Sequence, residues 1–208
     1  MGRHSLLWVM LIAFCFLGLP AISTPTDIMN RVVRELTLIE QALGKAETSK
    51  VTKSATAFYN AVFIGTGAEK TSTKFVVSEE EKENTVPLFG NSVRALSSKT
   101  NDYVRGFSSL CFAVFVRVAI ILSWLPYIAP FLLAAITDAA VTRKIKFESF
   151  GYSSPIKFAA AAHSMIVVVF LPLLYLVVPL PITPLFVPFW ALISAIPIML
   201  LVANTQRV

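Results

Sequence analysis

Three ionisable side chains in or beside apolar stretches have the clearest potential for chemistry in this chain. Arg117 and Asp138 stand at the two ends of a 20-residue apolar run, and His163 follows four alanines near the start of a later run. A polar side chain inside a membrane span is a candidate for proton transfer or for pairing with another subunit. A proton relay needs a second ionisable group at depth, and Asp138 is the available partner for His163. The simpler interpretations are a hydrogen bond from His163 to a neighbouring helix and anchoring of Arg117 and Asp138 at the membrane boundaries.

Signatures of catalysis and of metal binding are missing from the sequence. It contains no HExxH, GxSxG or P-loop pattern, and the segment Gly65-Thr66-Gly67 is not followed by the P-loop lysine. The carboxylates of Glu79, Glu80, Glu81 and Glu83 form a charged run of the kind that is usually solvated. Because the chain has only two histidines, we expect no catalytic residue, no bound cofactor and no metal site.

Positive charge is concentrated beside the apolar runs. The chain is 56% hydrophobic and only 14% charged, with a net charge of +6. Over residues 24–106, 11 basic side chains nearly balance 10 acidic ones, whereas Arg143, Lys144 and Lys146 directly follow an apolar run. Lys and Arg are retained on the cytoplasmic side of a membrane, so the loop 142–157 is predicted to face the cytoplasm. Without a basic stripe that carries interleaved aromatic residues, direct nucleic-acid binding is not expected.

The apolar runs predict an all-α membrane protein with about four transmembrane helices. A membrane domain over 107–208 contains spans at about 118–138, 158–178 and 185–203, each near the length that a bilayer requires. Residues 1–23 are either a retained signal anchor or a cleaved signal peptide, and both place the following residues outside the cytoplasm. Segment 107–141 is long enough for a hairpin. A hairpin would break the positive-inside rule, so the sequence favours one kinked helix and a cytoplasmic C-terminus.

Residues 24–106, between the first two spans, are expected to form a small helical extracytoplasmic domain. Thr24 or Thr26 can cap its first helix, which a glycine at position 44 would end. The apolar stripe of that helix is predicted to comprise Ile28, Val32, Leu36 and Ile39, widened by Met29, Val33 and Leu43. A second helix over 47–64 places Val51, Ala55, Phe58, Tyr59 and Val62 on one side, and a third starts near Ser92. A domain of this size is marginal alone, so we expect its stripes to pack on each other, on the following segment or on a partner.

The C-terminal half carries an arrangement of residues that extends over three spans. In chain order it consists of Leu125-Pro126, Asp138, Arg143, the run Phe147-Glu148-Ser149-Phe150-Gly151-Tyr152-Ser153-Ser154, His163, and Tyr175-Leu176-Val177-Val178-Pro179 before a Pro-rich turn. This half, from Arg105 to Val202, resembles a family of membrane proteins of unknown function encoded in integrative conjugative elements and conjugative plasmids. The sequence departs from that family at Ala139, where glycine is frequent, and at residues 164–166, where the family is more basic.

The resemblance implies a non-enzymatic accessory or assembly protein of a conjugative DNA-transfer (type IV secretion) system in the bacterial inner membrane, with residues 24–106 in the periplasm. Implied partners, besides the lipid bilayer, are other membrane proteins of the apparatus, with the coupling ATPase and a second copy of the chain as candidates. Two alternatives are an entry-exclusion protein and a small transporter or channel subunit, which would need a water-accessible path near His163. The candidate interaction and packing residues are Arg117, Asp138, Arg143, Lys144, Lys146 and His163.

Overall fold

Helices make up nearly all of the computed structural model, which describes residues 2–68, 70, 76, 91–178 and 180–205. The α-helices are α1 (Gly2–Ile22), α2 (Pro25–Leu43), α3 (Lys45–Tyr59), α4 (Asn91–Glu148), α5 (Pro155–Val177) and α6 (Phe186–Ala203). A π-helical turn, Asn60–Ile64, continues α3 directly. The described residues are 88% helical and include no strand, so the predicted all-α membrane fold is confirmed.

Four helices in the described part of the chain are long and apolar enough to cross a membrane. They are His4–Ile22 within α1, Leu96–Glu148 within α4, and the whole of α5 and α6. Helix α4 is continuous although Pro126 and Pro130 lie inside it. The segment 107–141 is therefore part of one helix and not a hairpin.

The chain divides into two compact units. One consists of residues 11–119 and 176–183, and we call it the clamp unit after the ion pair that it contains. The other consists of residues 1–10, 120–175 and 184–208, and we call it the span unit. The acidic run from Glu79 to Glu83, and Arg207, lie outside the described residues.

Caps at both ends fix the position of α2 in the clamp unit. Thr24 has an extended backbone, and its Oγ1 accepts a hydrogen bond from the Asp27 N–H at 3.2 Å. Pro25 occupies the first turn, where a missing N–H has no cost. The helix ends at Gly44, whose φ of +85° is open to glycine and strained for other residues. Thr24 is thus the cap.

The buried face of α2 is rotated from the predicted one. Ile28, Val32, Glu35 and Ile39 are buried, whereas Met29 and Val33, which were predicted to widen the stripe, are exposed. That part of the prediction is wrong because the apolar pattern does not include Glu35, which is buried on this face. Helix α4 has a stripe of the same i, i+4, i+7, i+11 spacing, made of Gly106, Leu110, Ala113 and Arg117. Each stripe therefore carries one charged side chain.

The π-helical turn changes which residue ends the core face of α3. Val51 and Ala55 are buried as predicted, but Phe63 is buried in place of Val62, which is exposed. The Gly65 N–H bonds to the Asn60 carbonyl at 2.8 Å, five residues back, so the turn holds one residue more than an α-turn. The Phe63 ring stacks on the Tyr59 ring, with centroids 5.0 Å apart.

The C-terminal part of α1 packs on α4 inside the clamp unit. The Tyr103 hydroxyl donates to the Leu17 carbonyl at 3.1 Å. The Phe16 ring meets the Phe107 ring edge-on, with centroids 5.3 Å apart, and Pro20 is buried. Residues of the apolar N-terminal segment are therefore part of the folded unit.

In the span unit, α5 and α6 are joined by a hydrogen bond that compensates for a proline. Pro172 has no N–H, so the carbonyl of Val168, four residues earlier in α5, lacks its helical donor. Trp190 of α6 donates its indole N–H to that carbonyl at 2.9 Å. Val168 lies in a candidate span, where water cannot replace the missing donor. The indole is thus a polar link between two apolar helices.

Candidate functional site

A buried ion pair between Glu35 of α2 and Arg117 of α4 is the main charged site of the clamp unit. Each residue is only 3% exposed. The Arg117 Nε donates to the Glu35 Oε1 at 3.0 Å and to Oε2 at 3.1 Å, and Nη2 donates to Oε2 at 2.9 Å. One edge of the guanidinium therefore faces both carboxylate oxygens, which is the strong forked geometry. We call this pair the clamp.

Arg117 also closes the C-terminal end of α5. Its Nη1 donates to the carbonyls of Leu176 and Val178, and its Nη2 donates to the Leu180 carbonyl at 2.7 Å. The last carbonyls of a helix have no helical donor, and a cation there also interacts favourably with the helix dipole. With Glu35 included, every N–H of the guanidinium has an acceptor.

Burial and pairing act in opposite directions on Glu35. Loss of water raises the pKa of the Glu35 carboxyl above its ordinary value, while the hydrogen bonds and the charge of Arg117 lower it. Desolvation is the largest of these effects. The carboxylate therefore depends on its partner, because an unpaired buried charge is neutralised by a proton rather than kept.

The surroundings of the clamp leave no room for a substrate. The void beside it measures about 20 Å³, enough for at most one water molecule, and its walls are mainly apolar side chains of α1, α2 and α4. All the hydrogen-bonding groups of the pair face each other or the backbone. No group of three side chains that could hold a metal ion occurs in the described part of the chain. The arrangement is suited to holding helices together.

The sequence predicts Arg117 as a boundary anchor or a docking charge, and the structure instead buries it against Glu35. The other candidate residues belong to the span unit and do not form one cluster. Asp138 and His163 are both exposed, and within the described residues neither makes a hydrogen bond or an ion pair. These contacts therefore give no support to a proton relay between Asp138 and His163.

The three cations that follow the α4 span have different surroundings. Lys146 donates to the Ala203 carbonyl at 3.3 Å and to the Asn204 Oδ1 at 3.2 Å, so it fixes the end of α6. Lys144 lies 4.0 Å from the Glu148 carboxylate at the surface. Arg143 is exposed at the edge of a cleft.

Glu35 is the site residue that the sequence reasoning missed. A signal for it exists, because Glu35 falls four residues before Ile39 and seven after Ile28, on the apolar stripe of α2. If such a stripe is buried, a carboxylate on it needs a cation or a hydrogen-bond donor beside it. The identity of that partner is not encoded locally, since Arg117 is 82 residues away.

Comparison with curated proteins and with solved structures gave no match. A family model described as "IncC plasmid conjugative DNA transfer protein DtrJ-like" matches residues 29–208, a range that includes both residues of the clamp. The expected membership in a conjugation-associated family is confirmed. With a match that extends over most of its length, the chain belongs to the DtrJ-like family of conjugative DNA transfer proteins.

Proposed function

We propose that the protein is a non-enzymatic accessory protein of the conjugative transfer apparatus that holds other membrane proteins of that apparatus together. It sits in the bacterial inner membrane with both termini in the cytoplasm and residues 24–106 in the periplasm. Family membership supports a role in conjugation. Four long apolar helices support the membrane location.

The saturated clamp is the observation that carries this proposal. Glu35 and Arg117 are buried, paired and bonded to the backbone, and the void beside them is too small for a substrate. In some proteins a buried ion pair of this kind fixes how helices pack on one another. The clamp unit therefore acts through its outer surface, as expected of a protein that binds other proteins.

The proposed topology predicts opposite labelling of two exposed positions. In a chain whose Cys15 and Cys111 are replaced by alanine, Lys45→Cys should react with a membrane-impermeant maleimide in intact cells. Tyr152→Cys, equally exposed in the fold, should react only after lysis. The reverse pattern, or labelling of both positions in intact cells, would contradict the topology.

The proposed role predicts a large fall in transfer frequency from a donor that carries an in-frame deletion of this gene. A copy supplied in trans should restore transfer, because an assembly protein is needed only in the donor. Crosslinking of the restored cells should then trap membrane proteins of the apparatus on the chain.

The same strains distinguish the rival functions. Unchanged transfer from the deletion donor would refute the accessory role. If expression in the recipient alone lowers uptake, the protein acts in entry exclusion instead.

A further inference from the structure

The turn after α4 presents an aromatic side chain at an energetic cost. Phe150 has a φ of +52°, in the left-handed region that a side chain with a Cβ rarely adopts. The Gly151 N–H closes the turn onto the Lys146 carbonyl at 2.7 Å, which is the closing bond of a common helix end. Glycine usually takes the left-handed position in that motif, but here phenylalanine does. Its ring is 98% exposed, so packing in the span unit does not explain the choice.

Other apolar side chains around this turn are also exposed. They are Ile145 and Phe147 at the end of α4, Tyr152 in the turn and Ile156 at the start of α5. Exposed aromatic and aliphatic side chains in one patch indicate an interaction surface.

Cations lie beside these side chains. Arg143, Lys144 and Lys157 are exposed, and the acidic residue among residues 143–157 is Glu148. Arg143, Phe150 and Tyr152 line a common cleft of about 770 Å³. Phe147 and the Glu148 carboxylate also line it, so the cleft combines a guanidinium with three aromatic rings and one acidic group.

The length of α5 sets the depth of this patch in a bilayer. Its 23 residues rise about 34 Å, slightly more than the ~30 Å hydrocarbon core. If α5 crosses the membrane, its first residue, Pro155, lies at the boundary between hydrocarbon and headgroups. The neighbouring turn 149–154 therefore lies at headgroup level, where aromatic rings and cations are both favoured.

We propose that residues 143–157, which comprise the end of α4, the turn 149–154 and the start of α5 and which we call the headgroup loop, bind the phosphate of anionic phospholipids in the adjacent leaflet. Arg143, Lys144 and Lys157 pair with the phosphate, and the rings of Phe150 and Tyr152 insert between headgroups. Lys146 keeps its structural bonds to the end of α6. This inference concerns lipid binding only and does not depend on a role in conjugation.

A lipid occupant accounts for the loop better than a nucleic acid or a protein does. Nucleic acid would explain the cations but not the exposed aliphatic chains of Ile145 and Ile156. A cytoplasmic protein would have to bind at the membrane surface, between the end of α4 and the start of α5. A lipid headgroup is already at that position and has the complementary charge.

The test is a lipid titration of the full-length protein in detergent, with the bound fraction read by native mass spectrometry. The wild type should bind phosphatidylglycerol in preference to phosphatidylcholine. Arg143→Gln/Lys144→Gln/Lys157→Gln should weaken phosphatidylglycerol binding by roughly 100-fold, since each of the three cations near an anionic surface contributes about fivefold.

Matched variants separate specific binding from the effects of charge or folding. Lys45→Gln/Lys50→Gln/Lys53→Gln removes the same charge from α3 and should leave binding unchanged. Phe150→Gly should weaken binding several-fold while the melting temperature stays the same or rises, because glycine accepts the left-handed backbone. Equal binding of the two lipids, equal loss in both triple variants, or preferential binding of a DNA fragment by the same cations would overturn the proposal.

Discussion

Replacement of Glu35 by alanine is expected to lower the free energy of unfolding by about 3–5 kcal/mol, the usual cost of breaking a buried ion pair at one partner. The cost is large because the Arg117 guanidinium stays buried while its carboxylate is gone. Unfolding of the detergent-solubilised protein, followed by circular dichroism, measures the change. Lys50→Ala is the matched control: its pair with Glu47 is exposed, and its loss should cost less than about 1 kcal/mol.

Arg117→Met should be at least as destabilising as Glu35→Ala, because it also leaves the carbonyls of Leu176, Val178 and Leu180 without their donor. The double variant Glu35→Ala/Arg117→Met should lose clearly less stability than the sum of the two single changes, since no buried charge remains. Strict additivity would show that the two side chains do not form the clamp.

Trp190→Phe should lower the free energy of unfolding by about 1–3 kcal/mol, the cost of leaving a buried acceptor without a partner. Phenylalanine keeps most of the ring but removes the indole N–H that reaches the Val168 carbonyl. Trp8→Phe is the matched control, because Trp8 stacks on Phe170 through its ring and should tolerate the change.

The cause of the Trp190 effect can be isolated by restoring the missing donor within α5. Pro172→Ala supplies an N–H to the Val168 carbonyl, so Trp190→Phe should cost much less in that background. An equal cost in both backgrounds would mean that the indole contributes through packing alone.

The features that could be predicted from the sequence depend on local patterns. Runs of apolar residues predicted the four candidate spans, because the length and hydropathy of a segment depend only on its own residues. The Thr24 cap and the end of α2 at Gly44 were also readable, since each needs only the residues beside it.

The features that could not be predicted depend on distant partners or on a break in the helical period. Glu35 and Arg117 are far apart in sequence, and the chain offers many other basic residues that could pair with a carboxylate. The exposed Val62 follows from one π-helical turn, whereas the prediction assumed 3.6 residues per turn throughout. The donor for the Val168 carbonyl likewise comes from another helix.

The packing of α1 on α4 has a consequence for how the protein is made. Leu17 leaves the ribosome 86 residues before Tyr103, the side chain whose hydroxyl binds its carbonyl. During that interval the Leu17 carbonyl has no Tyr103 hydroxyl to bind, and afterwards α1 is one wall of a folded unit. A protease that cut after Ser23 would remove that wall and uncover Tyr103 and Phe107. The helix that the sequence predicts as a signal anchor or signal peptide is thus also a structural element of the clamp unit.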